Sequence, residues 1–390
     1  MPPGLTHAQP LDRLASVKTR CSLAASELLL TGQSMNQKRL LGSLVFAICA
    51  IAFLVFSSRE SAIAQTLGKS FEEIVKLATK EGKVRIGMGF SDEKSMERVM
   101  AGFLKKYPQI KVEYSTVNSN NREKIFAELL AGQIDYDVVD VSLEVHKKWK
   151  KANVLSGPID WRALFPNVPK EHISPDGYFA AGAVSFDGIA YHPRLVPDER
   201  VPRKWEDCLD PHWKGKFILD TRPNNIVGLY PAWGEAKLLD FARRLKENQP
   251  LWKRGMNDSI AFLSSGEALM ICGVSYSPVK RALDKDPNAN VRPALLNEVP
   301  AGINKTMGIA KGAKYPNAAL LLAGWLASPE GTKGYDEVGY GSPFIEGTHA
   351  AKLIQASGGK VIFGGWEEAE YRPALTEKIT AIWGFRAKKQ

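Results

Sequence analysis

The chain has 390 residues, with 52 Lys and Arg against 42 Asp and Glu, a formal net charge of +10, and 44% hydrophobic residues. That length suits more than one domain of about 100–200 residues. The basic excess is dispersed, and no cationic block is longer than "HKKWKK" (His146 to Lys151), read as an exposed face, which argues against a nucleic-acid partner.

In chain order the first feature is a leader. Met35 is followed by Lys38 and Arg39, then by an uncharged run from Leu40 to Ser58, then by Ala62-Ile63-Ala64. A basic start, an apolar run and a small-x-small site are the parts of a secretory signal, with cleavage expected before Gln65. The alternative is an uncleaved anchor over residues 40–58, because the run is long enough to approach a span. Cys49 follows Ile48, where a lipoprotein cysteine would want a small residue. Residues 1–34 lie on the wrong side of a leader and read as an extension from a misplaced start, or as a disordered tail. Setting 1–64 aside leaves 46 basic against 39 acidic residues, all nine Trp, and two cysteines, Cys208 and Cys272. Two cysteines make no disulfide framework, although in an exported protein they can pair.

Beyond the leader, Ser70 and Glu73 form a capping box with Gly82 as the stop, which predicts a first helix. "KVRIGMGF" reads as a buried strand. Met96, Val99, Met100, Phe103 and Leu104 recur at helical spacing, "IKVEYST" reads as a strand, and Ile125, Leu129 and Leu130 share a face of the next helix before the strand "DYDVVDVS". This β-α-β-α-β alternation predicts a parallel sheet covered on both faces. "YFAAGAVSFDGIAYHP" (Tyr178 to Pro193) reads as extended chain crossing between lobes. "GKFILD" opens a second alternation through "WGEAKLLDFARRLKE", "DSIAFLSSGE" and "ALMICG". "KTMGIA" is a return crossing, and the remainder is helical, notably "NAALLLAGWLASPEG" and the segment after Trp366. Two α/β lobes with crossings enclose a cleft, where ligands favour the carboxyl ends of strands.

No Walker A loop, dinucleotide fingerprint, nucleophile elbow or H-E-x-x-H is present, and the histidines after the leader show no ligand spacing. Nothing nominates a nucleophile with its base, and no cofactor is expected. Polar residues after predicted strands are the candidates instead. Phe90 and Ser91 follow the first strand, and Ser142 ends "DVVDVS". Either serine can bind a ligand or simply cap a helix. Thr221 and Arg222 end "KFILD", where an Arg can clamp a carboxylate or phosphate, or make a surface ion pair. Gly273, Ser275 and Tyr276 follow "ALMIC", with Tyr276 a donor, a phenolate or a packing ring.

"VPRKWEDCLDPHWKGKFILD" (Val201 to Asp220) resembles the Pro-x-x-Trp-x-Asp-Leu-x-Asp-Pro-x-Trp-Lys-Gly-Lys segment of bacterial extracellular solute-binding proteins, in the ferric-iron/thiamine-like branch of the type II periplasmic fold. "SSGEALMICG", "LLAGQIDYDVVDVS" and "GIAKGAKYPNAALLLAGWLASPEGTKGYDEVGYGSPF" are similar to further segments of that family, so the likeness runs from about Ser70 to Gln390. It implies a two-lobe periplasmic binding protein type II fold, each lobe a mostly parallel sheet flanked by helices, with residues 65–185 and 305–390 in one lobe and 186–304 in the other. It also implies a monomeric periplasmic protein that closes by hinge motion near residues 178–193 and 303–311 and delivers a ligand to inner-membrane ABC permease subunits. In the iron-binding members an adjacent tyrosine pair supplies phenolates. Here Tyr276 stands between Ser275 and Ser277, and Tyr230, Tyr340 or Asp187 would have to converge on it for ferric iron, which wants several anionic oxygens. For a small organic solute, Arg222 would meet an anionic group, Ser91 and Ser142 would donate hydrogen bonds, and Phe90, Tyr276 and Tyr340 would enclose the body. The rivals are a secreted enzyme on the same bilobal fold and a membrane-anchored sensor domain.

Overall fold

The computed structural model of the chain describes residues 70–90, 93–117 and 119–385. The leader, its cleavage site and Ser91 lie outside the described residues. Among the described residues no helix is long and apolar enough to cross a membrane.

The first alternation forms as read. Helix α1 (Phe71–Glu81) starts at Ser70, whose side chain accepts from the Glu73 N–H at 3.4 Å, and stops at Gly82 in the left-handed conformation at φ 64°. Strand β1 (Lys83–Met88), α2 (Glu93–Lys106), β2 (Lys111–Thr116), α3 (Ser119–Leu130) and β3 (Val138–Asp140) follow. Met96, Val99, Met100 and Phe103 bury the inner face of α2. Leu104 and Leu130, expected on inner faces, are instead 39% and 48% exposed. Each sits one position past a buried residue, about 100° further round the helix, and so turns to solvent. The run "HKKWKK" is also not wholly exposed. It forms the short helix α4 (His146–Lys151), which buries His146 and Trp149 and turns its lysines outward.

After α5 (Trp161–Leu164) come β4 (Phe179–Tyr191), β5 (Phe217–Asp220), α6 (Asn224–Val227), α7 (Tyr230–Glu247), β6 (Leu251–Lys253), α8 (Met256–Ser264), β7 (Met270–Ser275), α9 (Tyr276–Lys285), β8 (Arg292–Ala294) and β9 (Glu298–Ile309). The C-terminal part is α10 (Pro316–Ala327), α11 (Pro329–Glu337), α12 (His349–Ser357), β10 (Lys360–Phe363) and α13 (Glu368–Trp383). Pro329 cannot continue α10, and the Ser328 hydroxyl accepts from Gly331 N–H, so the chain restarts as α11.

The strands form one sheet in the order β2-β1-β3-β9-β4-β7-β5-β6, with β10 on β9 and β8 on β4. β2, β1 and β3 are parallel, as are β7, β5 and β6. Between these blocks run the two long antiparallel strands. Phe179–Phe186 of β4 pairs with β9, and Asp187–Tyr191 of the same strand pairs with β7. β9 in turn pairs with β3 through Met307–Ile309. Both crossings are therefore shared by the two halves of the sheet.

One apolar cluster gathers β1, α1, α2 and α10, including Ile86, Phe103, Met307 and Leu321, and another gathers β5, β7 and α7. Leu375, Ile379 and Trp383 of α13 belong to the second cluster, where the Trp383 indole donates to the Ala242 carbonyl at 2.9 Å. Gly182 lies beneath Tyr335, and a Cβ there would collide with the Tyr335 ring and hydroxyl. The variant Gly182→Ala is expected to lower stability by about 1–3 kcal/mol through overpacking, read as a shift of the urea midpoint.

Two buried histidines contribute to the loss of stability in acid. His146 stacks on Phe179 with ring centres 3.7 Å apart, and its Nε2 lies 2.9 Å from the Thr306 hydroxyl. His172 lies between the Ala327 carbonyl and the Ser342 hydroxyl. Burial lowers both to about 4. Because the unfolded chain takes up these protons first, the stability the neutral rings contribute is present above about 6.5 and is lost as pH falls toward 4. Asp187, raised to about 6 by burial, works in the opposite sense over the same interval and offsets part of the loss. Urea unfolding at pH 7 and pH 4.5 is expected to show a lower stability at the acid pH, and His172→Gln to reduce the difference.

Candidate functional site

The sheet brings the carboxyl ends of its strands to a line beside the β4–β9 crossing. On the first half, β1 runs out into Gly89 and Phe90. The Gly89 N–H donates to Asp140 Oδ2 at 2.9 Å, and a Cβ on Gly89 would stand only 2.9 Å from the Val117 carbonyl oxygen, so the close approach requires glycine. Ser142, two positions past β3, accepts from Val145 N–H with its carbonyl and heads a short 3-10 turn, while its hydroxyl makes no capping bond.

β9 contributes a residue that the sequence reading passed over. Lys305 has φ 52° inside a strand, a left-handed conformation that a side chain with a Cβ seldom adopts. Regular alternation would place Lys305 on the face carrying Met307, which is fully buried in the first apolar cluster. The left-handed turn instead carries its Nζ to the Gly89 carbonyl, 4.8 Å from the ring centres of both Phe90 and Tyr340. Phe90 is 6.1 Å from Tyr335 and 6.2 Å from Tyr340, so these aromatics form one wall. Tyr340 also lies in the fields of Lys305 and Arg281 and beside Ser277. Burial pushes its phenol up, but these partners together bring it below the ordinary tyrosine value. Arg281 donates to the Ser277 hydroxyl. Among the described residues, neither Lys305 nor Arg281 forms an ion pair with a carboxylate.

The second half places its candidates differently. Gly273 has φ 83°, and a Cβ there would press on Asn225 and Ile226 at 3.3 Å, which explains a glycine inside β7. The Ser275 hydroxyl donates to Asp187 Oδ1 at 2.6 Å, and the Asn225 side-chain amide lies 2.9 Å from both. Asp187, Ser275 and Asn225 therefore form a closed polar triad where β4 passes from one half of the sheet to the other. The Arg222 fork is engaged by its neighbour Asp220, with Nε donating to Oδ1 at 2.9 Å and Nη2 to Oδ2 at 2.7 Å. This pairing holds Asp220 below its ordinary value despite burial, and raises Arg222. The Thr221 hydroxyl is buried with no partner.

Tyr276 stacks on Phe186 at 4.9 Å, and its hydroxyl lies 2.6 Å from His349 Nε2 at the start of α12. Burial, reinforced by Asp284 and Asp336, pushes the phenol up to about 12. The structure thus brings Phe90 and Tyr340 together around Lys305, and Asp187 together with Ser275. It places Tyr276 on His349 and turns Arg222 onto Asp220. Lys305, Arg281, Asn225 and His349 were missed by sequence reasoning. The one legible signal was a lysine in the return crossing "KTMGIA". Among the described residues there is no group of three or more His, Cys, Asp or Glu side chains able to hold a metal ion.

The model of the bacterial extracellular solute-binding protein family matches residues 90–333. No curated protein matches the chain. Among solved structures, iron-bound HitA from Pseudomonas aeruginosa superposes with a TM-score of 0.62 at 15% identity, over 77% of this chain and 99% of that one. Trichodesmium IdiA (FutA) in complex with iron and citrate gives 0.61 at 17% identity, over 77% and 99%. An ABC transporter substrate-binding protein from Bradyrhizobium japonicum USDA 110 gives 0.62 at 17% identity, over the same shares. At such identities the likeness shows the fold, that of two-lobe periplasmic binding proteins. Since the matched segment exceeds half of the chain, the protein belongs to the bacterial extracellular solute-binding protein family, as a solute-binding protein of the ABC-importer type.

Proposed function

We propose that the chain captures a small organic anion in the cleft beside the β4–β9 crossing and delivers it to inner-membrane permease subunits. The observation that carries this reading is the pair of cations around Tyr340. Lys305 and Arg281 flank one phenol with no carboxylate partner among the described residues, and Lys305 holds a left-handed backbone to stay there. A ligand carboxylate or phosphate would complete both charges, and Phe90 and Tyr340 would enclose its apolar body. Ser142, and Ser91 beyond the described residues, would supply hydrogen bonds. Asp187, Ser275 and Gly273 would shape the opposite wall, and Thr221 and Arg222 its rim. In this reading the mature chain starts at Gln65, acts as a monomer in the periplasm and performs no catalysis. Its hinges are the crossings in 178–193 and 303–311. The lobes would be 65–185 with 305–390, and 186–304, as the resemblance implies, amended only in that α13 would move with α7, against which Leu375, Ile379 and Trp383 pack.

Ferric iron is the second reading, favoured by the neighbours solved with iron. The donor set of this chain favours it less. Tyr276, the phenol at the family's position, is pushed up to about 12 and tied to His349, so forming its phenolate costs more than in water. Tyr340 is the phenol held below its ordinary value, by Lys305 and Arg281 against the effect of burial.

Replacement Lys305→Met is expected to weaken binding of the cognate anion by about 10–100-fold, the size of one charge-assisted hydrogen bond. The check is a screen of small carboxylates and phosphates by tryptophan fluorescence, followed by calorimetry on the hit. Unchanged affinity in the variant would remove the proposal. In an ultraviolet titration of the ligand-free protein, one phenol is expected to ionise below the ordinary value near 10, and Tyr340→Phe to remove that step.

A further inference from the structure

The two cysteines remaining after the leader take no part in the cleft, yet the fold brings them together. Cys208 lies in the turn Trp205–Leu209, and Cys272 lies in β7, where it is in register with Ile189 of β4. They are 64 positions apart in sequence, but both are buried in the apolar cluster that also holds Trp205, Trp213 and Phe217. Both are free thiols in this structure. The Cys208 carbonyl accepts from the Asn248 amide at 3.2 Å, which fixes the turn, and the Cys208 thiol lies beside that of Cys272 within the same buried cluster. Placing two thiols of a family of extracellular proteins against each other in one core is the arrangement an oxidising compartment closes.

We propose that Cys208 and Cys272 form a disulfide when the chain is exported, stapling the Trp205–Leu209 turn to the strand that carries Gly273, Ser275 and Tyr276 to the cleft. The oxidant is a reactive disulfide of a thiol-oxidising protein in that compartment. A thiolate of one cysteine attacks it, giving a mixed disulfide and releasing one thiol. The second cysteine then displaces the other thiol, so that two protein thiols become one disulfide while the oxidant's disulfide becomes two thiols. The order of events follows from burial. In the folded core, desolvation and the neighbouring Cys272 push the Cys208 thiol well above its ordinary value, which leaves almost no thiolate to react. The exchange therefore precedes final packing of Trp205 and Trp213, and afterwards the same core shields the bridge from reductants.

The test is intact mass after thiol capture. The full chain is expressed with its leader, exported, quenched with iodoacetamide at lysis, then unfolded in urea with iodoacetamide and without reductant. The expected result is no adduct and a mass about 2 Da below that of the dithiol chain, becoming two adducts only when reductant is added to the unfolded protein. Reductant applied to the native protein is expected to leave the mass unchanged, and reduction in urea to lower the unfolding midpoint of the wild type but not of Cys208→Ser. One or two adducts located at Cys208 or Cys272 of the exported chain without reductant would overturn the proposal, whereas adducts confined to Cys21 and Cys49 would report only an uncleaved leader and leave the Cys208–Cys272 result to stand. The outcome is independent of which ligand the cleft takes.

Discussion

The antiparallel ladder between β4 and β9 is the constraint on which the rest depends. A parallel strand can join its neighbours only through crossover connections, so each parallel block closes on itself with its own helices. Here the two blocks are joined by strands long enough to serve both. β4 gives one stretch to β9 and the next to β7, and β9 reaches back to β3. Backbone hydrogen bonds thereby hold the halves together at the seam, and one apolar cluster reaches it through Ala180, Ala183 and Met307 while the other reaches it through Ile189. A hinge needs this combination: a joint held by a few shared strands and a rigid core on each side of it.

The seam also governs where charge can sit. A lysine in the middle of a strand whose next same-face residue is fully buried would place an ammonium in an apolar core at a cost of several kcal/mol. The chain avoids this with one left-handed residue, at a cost of about 1–3 kcal/mol. Lys305 emerges against Phe90, Tyr340 and the Gly89 carbonyl. Gly182 beneath Tyr335 and Gly89 against Val117 leave room for this rearrangement. In contrast, Asp220 neutralises Arg222, and Ser275 with Asn225 neutralises the polarity of Asp187. Among the described residues, Lys305 and Arg281 around Tyr340 are cations beside the seam without a carboxylate ion pair.

Much of the architecture was legible because it follows from local rules. The Ser70 cap and the Gly82 stop, the alternation of short buried strands with amphipathic helices, and the two long extended segments each have a cause within a few residues. The helix α13 illustrates the limit. Nothing in its sequence says that Trp383 will donate to Ala242, so its partner was not readable. The site was less legible than the fold for the same reason. Phe90 and Ser275 were nominated from their places after strands, and Tyr340 and Asp187 as groups that the family resemblance would have converge on a ligand, and the structure draws the four into two groups. Arg222 was nominated by charge, and what decides its role is Asp220 two residues before it. Lys305 could not be picked out, because its significance lies in a backbone angle and in two rings that come from distant parts of the chain. Tyr276 shows the converse: its chemistry depends on His349, 73 positions away.

The most direct measurement is native mass spectrometry of the chain beginning at Gln65, purified without chelator and compared with the same sample denatured. The account predicts a stoichiometric excess mass in the native protein that matches a small organic anion, is lost on denaturation, and is absent from Lys305→Met. A stoichiometric excess matching iron, retained in Lys305→Met and lost in Tyr276→Phe, would contradict it and place the ligand on the phenol that this structure ties to His349.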